Sequence, residues 1–134
     1  MDEFLRIGFN PFNIMIGTSA GAQNLSAYLC QQRGYAPKVI TAYTIKSQFF
    51  NPLRFIRGGH MIDLDWLIDI TSRELPLDFS TGLFCLDSGC QFLISACRYE
   101  DFSPLYFQST QDKLIRYYSG VKCYLRILSL GYGI

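Results

Sequence analysis

Short apolar runs of strand length alternate along this chain with segments whose apolar residues recur at helical spacing. The strand-like runs cover residues 13–17, 91–98 and 105–107. Helical spacing is found over residues 2–7 (ending near Gly8), 20–34, 36–43 and 62–75, with a loop predicted at 49–60. Alternation of short apolar strands with amphipathic helices is typical of layered α/β proteins. The sequence therefore predicts an α/β fold, in which Pro76 ends the helix over 62–75.

The composition is that of a folded protein with little charge. The 134 residues are 49% hydrophobic and 17% charged, whereas an average soluble domain has about 25% charged residues. Intrinsic disorder requires the opposite balance, low hydrophobicity with high net charge. The length suits one domain, and a net charge of +1 gives no long-range field to attract nucleic acid. No nucleic-acid partner is expected.

Membrane, metal and disulfide chemistry are not indicated by the sequence. No window reaches the roughly 18 consecutive apolar residues of a membrane-spanning helix, and residues 1–6 do not resemble a signal peptide. We expect a cytoplasmic protein, peripheral to a membrane if it meets one. The five cysteines form no CxxC pair and the only histidine is His60, so reduced core cysteines are favoured over a disulfide framework or a zinc site. No cofactor is expected.

One short motif carries chemistry. The stretch Gly17-Thr18-Ser19-Ala20-Gly21 matches G-x-S-x-G and lies between a strand-like run and a helix-like segment. Three fixed positions match by chance in roughly one chain in twenty of this length. The strand–turn–helix context is nevertheless that of a nucleophile elbow, in which a strained turn presents a serine hydroxyl to a cleft.

The elbow interpretation gives each residue of the motif a role. Ser19 is the nucleophile, and Gly17 and Gly21 let the strand and the following helix approach closely because they lack a Cβ. The backbone N–H of Ala20 is an oxyanion donor at the positive end of that helix. The alternative is an ordinary glycine-rich turn in which Ser19 is only the helix N-cap. The motif alone does not separate the two.

Residues 14–22 resemble the nucleophile region of patatin-like phospholipases, whose usual form is G-T-S-A-G or G-x-S-x-G. Residues 23–28, 49–55 and 58–67 are similar to a bacterial branch of that family described as predicted esterases. The resemblance covers about residues 2–112. It implies a three-layer α/β/α sandwich that hydrolyses lipid or small acyl esters through a Ser–Asp dyad without histidine. Ser19 matches the nucleophile of that dyad.

Two parts of the family pattern are missing from the sequence. The oxyanion loop, G-G-G-x-R/K-G, should precede the helix that residues 2–7 match, and the catalytic aspartate should follow in a D-G-G/A motif after an A-S-x-A-x-P-like segment. Asp87-Ser88-Gly89 lies in the wrong order, before the strand at 91–98. Residues 117–134 show no match. We interpret residues 1–134 as a partial patatin-like domain, from a truncated or shifted reading frame, with little or no activity alone.

Other roles for the remaining residues stay open. His60 could complete a triad with Ser19 if Asp63 or Asp65 orients its ring, although α/β-hydrolases place the acid before the histidine. Arg54 and Arg57 could pair with a lipid phosphate or be solvated loop residues. Four aromatic residues could line an acyl pocket or pack in the core: Phe49, Phe50, Phe55 and Trp66.

A non-enzymatic function is the alternative from a second class. In this interpretation the chain is a degenerate fragment or an interaction module that needs a partner. Missing strands leave open sheet edges and uncovered apolar faces. Self-association through those faces is expected.

Overall fold

A computed structural model describes residues 1–98 and 101–108, and three short strands among them form one mixed sheet. The strands are β1 (Ile14–Thr18), β2 (Gln91–Cys97) and β3 (Pro104–Gln108), in the order β1-β2-β3. β1 and β2 are parallel, and β2 and β3 are antiparallel. All three predicted strands are present, and the predicted α/β class is confirmed.

The described helices account for most of the remaining regular structure. They are α1 (Asp2–Ile7), α2 (Ala20–Leu29), α3 (Tyr35–Lys38), α4 (Pro52–Ile56), α5 (Leu64–Glu74) and α6 (Phe79–Asp87), with a π-helical turn over Val39–Tyr43 after α3. None of these described helices has both the length and the apolar character that crossing a bilayer requires. The described residues divide into two units: unit 1 contains residues 1–33 and 77–108, and unit 2 contains residues 34–76. The divergent tail predicted at 117–134 lies outside the described residues.

The core of unit 1 lies on one face of the sheet. Met15 and Phe92 are paired neighbours in the sheet and are both buried. Helix α2 covers them with Tyr28 and Leu29, and apolar residues of α1 and α6 complete the cluster. Buried and exposed residues alternate along β1, so Met15 faces this core while its neighbours Ile14 and Ile16 lie on the opposite face of the sheet.

The opposite face of the sheet is open in the described residues. Ile14 and Ile16 on β1 are 59% and 56% exposed, and Tyr106 on β3 is 61% exposed. The resemblance implied a three-layer sandwich, and this arrangement is not confirmed because helices of unit 1 cover one face only. Parallel strands are normally buried on both faces. The outer face is therefore an apolar surface without a partner in residues 1–98 and 101–108.

Helix α2 ends earlier than its sequence predicts. Arg33-Gly34 indicated a C-terminal cap, but the helix ends at Leu29 because Gln31 adopts a left-handed conformation with φ 57°. The N–H of Gln32 donates to the Ala27 carbonyl at 2.9 Å, and the N–H of Gln31 donates to the Tyr28 carbonyl at 2.9 Å. This pair of bonds is a Schellman motif, which glycine usually forms. It satisfies the last carbonyls of the helix and explains why a non-glycine residue ends it.

Helix α6 has no counterpart in the sequence-based prediction. Its start is marked by Asp78, whose side chain accepts hydrogen bonds from the N–H groups of Ser80 and Thr81. The hydroxyls of the same two residues also donate to this carboxylate, at 2.5 and 2.8 Å. An N-cap aspartate followed by hydroxyl residues is a recognisable start signal. Phe79, Leu83 and Leu86 recur at helical spacing and pack against the core of unit 1, so a periodic signal was present that the sequence-based prediction did not assign.

Asp78→Ala is expected to lower the stability of unit 1 near neutral pH. It should also make that stability less dependent on pH in the acid range. Hydrogen bonds from Ser80, and then from Thr81, hold the pKa of Asp78 below its ordinary value of 3.8. A depressed pKa means that the stabilisation is present above that ordinary value and is lost as the pH falls through the lower folded value. Thermal unfolding followed by circular dichroism between about pH 7 and about pH 3 measures this. The control Asp78→Asn keeps an acceptor but cannot titrate; an Asp78→Ala protein with the wild-type pH slope contradicts the assignment.

Unit 2 is built around α5 and the π-helical turn. The buried residues of α5 are Leu67, Ile68 and Thr71, whereas the sequence predicted a stripe of Ile62, Trp66, Leu67 and Ile70. Ile62 lies outside the helix because Asp63 is the N-cap and the helix begins at Leu64, and Trp66 and Ile70 are only half-buried. The Tyr43 hydroxyl donates to Glu74 Oε2 at 3.0 Å and ties the π-helical turn to the end of α5.

The predicted loop at 49–60 contains a helix. Asn51 caps α4 by accepting a hydrogen bond from the Arg54 N–H at 3.2 Å, and Pro52 occupies the first helical position. Asparagine before proline is a favourable helix start. The segment was predicted as a loop because only five residues follow before the helix ends, too few to show a period.

Candidate functional site

Ser19 lies at the junction between β1 and α2 in unit 1, and its backbone is strained. Its φ is 50° and its ψ is −124°, a combination that non-glycine residues rarely adopt and that costs on the order of 1–3 kcal/mol. Strain of this kind persists only where the surrounding structure fixes it. A serine on a sharp, strained strand-to-helix turn is the geometry of a nucleophile elbow.

Gly17 permits the close approach of strand and helix that this turn needs. A Cβ built on Gly17 would lie 2.5 Å from the Ala22 Cα and 2.7 Å from the Ala22 nitrogen, both backbone atoms of α2. Gly21 differs, because a Cβ there meets nothing within 4 Å. The predicted role in close packing is therefore confirmed for Gly17 and is wrong for Gly21, whose position in the first turn of α2 points away from the strand.

The Ser19 side chain does not cap the helix that follows it. Ser19 occupies the N-cap position of α2, but its side chain makes no capping hydrogen bond and the residue is exposed. The alternative prediction, an ordinary turn with Ser19 as a capping residue, is wrong in this respect. A capping serine would accept hydrogen bonds from N–H groups of the first helical turn, and the Ser19 side chain makes no such bond.

The first turn of α2 offers backbone donors next to Ser19. The N–H groups of Ala22 and Gln23 donate to the Ser19 carbonyl, at 3.0 and 3.3 Å. Those of Ala20 and Gly21 have no backbone acceptor within residues 1–98 and 101–108. Helix N-termini carry partial positive charge and bind anions. The predicted oxyanion donor, the N–H of Ala20, is thus unengaged, and Gly21 adds a second N–H that the sequence did not single out.

Thr18 is fixed by a residue that sequence reasoning missed. Thr18 lies opposite Ser95 in the parallel pairing of β1 and β2, and the two hydroxyls hydrogen bond to each other. This contact ties the residue before the nucleophile to the central strand. Only the strand register brings Ser95 here, so no local pattern in the sequence could have indicated it.

Arg54 holds together the loop of unit 2. Neither role predicted for it, a ligand of a lipid phosphate or a solvated loop residue, fits its contacts. Its guanidinium donates to Asp63 Oδ2 at 2.9 Å and to three backbone carbonyls, those of Gln48, Phe49 and His60. The residue is half-buried. It is therefore not a solvated loop residue, and its donors are not free for a lipid phosphate. Arg57 is exposed, as predicted for a solvated residue.

The triad proposed around His60 is not supported by the acid that should orient it. Asp63 Oδ1 accepts from the Trp66 N–H at 2.9 Å, while Oδ2 accepts from Arg54. Both oxygens are therefore engaged in capping α5 and closing the loop. Asp65 lies in the first turn of α5 and is exposed. Ser19 belongs to unit 1 and His60 to unit 2.

The aromatic residues of unit 2 do not all pack in a core. Phe49 and Trp66 are half-buried, but Phe50 and Phe55 are 46% and 63% exposed. Core packing, the preferred prediction for these residues, is wrong for Phe50 and Phe55. Their exposure is a property of the loop that Arg54 holds.

The cysteines of the described residues form no disulfide bond. Cys30 is buried, Cys85 and Cys90 are half-buried with their sulfurs 3.1 Å apart, and Cys97 is exposed. Burial raises the pKa of Cys30 to about 11, and burial together with the neighbouring Cys90 raises that of Cys85 to about 12. Core placement is confirmed for Cys30 and is wrong for Cys97; Cys123 lies outside the described residues. Such raised pKa values keep these two thiols protonated and unreactive.

Comparison with known proteins gives one informative similarity. The chain is 54% identical over 112 residues to the uncharacterized protein YjjU of Escherichia coli (strain K12). The match covers 84% of this chain and 31% of that protein, so the chain spans about a third of the length of the curated relative it matches. No protein-family model and no solved structure matches the chain.

Proposed function

We propose that this chain carries the nucleophile of a serine acyl-ester hydrolase of the patatin-like phospholipase type, with Ser19 as that nucleophile. The observation that carries the proposal is the backbone of Ser19, strained at φ 50° and ψ −124° between β1 and α2. The close approach at Gly17 and the unengaged N–H groups of Ala20 and Gly21 support it. The class of substrate is a lipid or a small acyl ester.

In the proposed reaction the Ser19 hydroxyl oxygen attacks the ester carbonyl carbon. The negative charge that develops on the carbonyl oxygen is stabilised by the Ala20 and Gly21 N–H groups and by the positive end of α2. The alcohol leaves as the acyl group becomes bonded to Ser19, and water then releases the acid. Each step requires a base to accept the proton that the serine or the water loses.

The described residues place no such base beside Ser19. In residues 1–98 and 101–108 no side-chain carboxylate or imidazole is hydrogen bonded to Ser19, and the sequence contains no D-G-G/A motif after the strand at 91–98. Loss of a catalytic partner typically leaves only a small remnant of the activity of a serine hydrolase. In a longer protein, further chain would bring the base and the second half of the oxyanion hole.

We expect the purified chain to hydrolyse p-nitrophenyl butyrate no faster than its Ser19→Ala variant, since no base lies beside Ser19 in the part of the chain that the structure describes. The matched control is Ser26→Ala, which removes a hydroxyl from α2 that donates to the Ala22 carbonyl instead. Turnover by the wild type and Ser26→Ala that Ser19→Ala abolishes would contradict the predicted loss of activity.

The assignment of Ser19 is tested on full-length YjjU, with the counterpart of Ser19 changed to alanine. We expect the full-length protein to hydrolyse acyl esters and the alanine variant to lose at least about 10³-fold in kcat. An inert full-length protein, or one whose activity survives the change, overturns the proposed function.

A second candidate function is an interaction module that needs a partner. The open outer face of the sheet, with Ile14, Ile16 and Tyr106 exposed, favours it. Contiguous apolar surface of this kind promotes association. This candidate requires that the chain be inert toward esters. It also requires that the elution volume in size-exclusion chromatography fall as the protein concentration rises.

A further inference from the structure

Residues 49–63 of unit 2, here called the arginine loop, form a closed and internally bonded structure. The Asp63 N–H donates to the Phe49 carbonyl and the Asn51 N–H to the Met61 carbonyl, both at 2.9 Å. Phe50 and Ile62 pair between these two bonds. The ends of the loop are thus held together by backbone hydrogen bonds, as in a compact Ω-loop.

In the arginine loop the charged side chain points inward and the apolar side chains point outward. Its inward side chain is Arg54, which donates to Asp63 and to three carbonyls within or beside the loop. The other side chains of α4 after the proline point outward and are apolar. Their exposed fractions are 63% for Leu53, 63% for Phe55 and 77% for Ile56. A surface helix of a monomeric protein normally shows the reverse pattern.

The backbone of the loop cannot turn these side chains inward without breaking the Arg54 network. A Cβ on Gly59 would lie 2.9 Å from the Arg54 Cγ, so the chain passes directly over the arginine stem. Phe50, Met61 and Ile62, at the base of the loop, are also exposed. The structure therefore holds six apolar side chains on the outside of one ordered loop.

The segment that forms this surface carries positive charge. From residue 4 to residue 62 the sequence contains no aspartate or glutamate. Lys46 and Arg57 precede and follow α4 in the sequence and are exposed, with the Lys46 ammonium over the Tyr43 ring, and His60 is exposed after the glycine pair. Of the next two carboxylates along the chain, Asp63 is paired with Arg54 and Asp65 is exposed. Exposed cations therefore flank this apolar surface along the chain, and such a combination matches the interface of a bilayer that contains anionic lipids.

We propose that the arginine loop docks the protein on an anionic membrane surface, with Leu53, Phe55 and Ile56 entering the boundary between head groups and acyl chains. Arg57 and Lys46 then lie at the level of the lipid phosphates. A second copy of the chain fits less well, because a two-fold interface would place these cations against their own copies. Nucleic acid does not account for the apolar residues at the centre of the surface.

Docking is tested by co-sedimentation of the full chain with vesicles of phosphatidylcholine, with and without phosphatidylglycerol. We expect binding to the anionic vesicles that weakens with added salt. Ile56→Glu is expected to weaken it about ten-fold or more, since it removes an inserted apolar side chain and adds a negative charge. Arg57→Gln is expected to weaken it about five-fold on anionic vesicles and to change nothing on neutral ones.

The matched control is Phe84→Glu, which changes an apolar side chain of similar exposure, 75% against 77% for Ile56, on α6 of unit 1. It should bind vesicles like the wild type, and circular dichroism checks that each variant is folded. Equal binding by Ile56→Glu and Phe84→Glu overturns the proposal. So does a dimer that Ile56→Glu dissociates, because a second copy would then cover the surface.

Membrane docking does not depend on ester hydrolysis. No residue of the arginine loop has a part in the proposed chemistry of Ser19, so Ser19→Ala should bind vesicles as the wild type does. Failure of vesicle binding would leave the Ser19 proposal unaffected. Failure of the ester assay on YjjU would likewise leave the docking surface unaffected.

Discussion

Gly17→Ala is expected to lower the free energy of unfolding by about 3 kcal/mol or more, a large effect for one methyl group. The added Cβ would lie 2.5 Å from the Ala22 Cα and 3.0 Å from the Leu25 Cδ1. The leucine side chain can move, but the Ala22 backbone can yield only if β1 and α2 separate. Because that separation also opens the turn at Ser19, the variant should lose the strained conformation of the nucleophile.

Gly21→Ala is the matched control, since the same change is made four residues away. A Cβ at Gly21 meets nothing within 4 Å, and alanine is favoured over glycine in a helix by about 0.5–1 kcal/mol. This variant should be as stable as the wild type or slightly more so. Urea unfolding followed by circular dichroism measures both variants. Equal stability of Gly17→Ala and Gly21→Ala would show that the close approach of strand and helix is not as described.

Arg54→Ala is expected to destabilise unit 2 by about 2–3 kcal/mol. The substitution leaves the Asp63 carboxylate without its cation and removes the donors of three carbonyls, those of Gln48, Phe49 and His60. Arg54→Lys should recover little of this loss, because one ammonium cannot replace the guanidinium fork. Arg57→Ala, the matched control, removes an exposed arginine and should change stability by less than about 0.5 kcal/mol.

Trp66 provides the measurement for unit 2. It is the only tryptophan of the chain, and its backbone N–H bonds the same Asp63 that Arg54 holds. Its fluorescence during urea unfolding therefore reports on the part of the molecule that the substitution affects. If Arg54→Ala and Arg57→Ala unfold at the same urea concentration, the Arg54 network does not support the loop.

Local patterns predicted the parts of the fold that local interactions determine. The helix over 2–7 ends at Gly8, which adopts φ 66° and caps it as expected. The strand before Ser19 and the helix from Ala20 were predicted because the apolar spacing changes from strand-like to helical across the motif. The strained turn lies between that strand and that helix, so the candidate nucleophile was within reach of sequence reasoning.

Contacts between distant residues determine what the sequence did not reveal. Arg54 was predicted to be a phosphate ligand or a solvated residue, because nothing nearby in sequence indicates that the chain returns to it at His60 and Asp63. Gln31 ends α2 through a left-handed conformation that glutamine rarely adopts. The partner of Thr18 is Ser95, and only the pairing of β1 with β2 brings the two together.

That pairing has a consequence for the order of folding. Thr18 and Ser95 are 77 positions apart, and closing so long a segment into a parallel pair is slow compared with forming helices. Until β1 and β2 meet, little holds Ser19 in its strained conformation, and the residue relaxes. The nucleophile is therefore set late in folding, after α2 and α5 have formed. Any event that later separates the two strands would release Ser19 from its strained conformation, although Ser19 itself is unchanged.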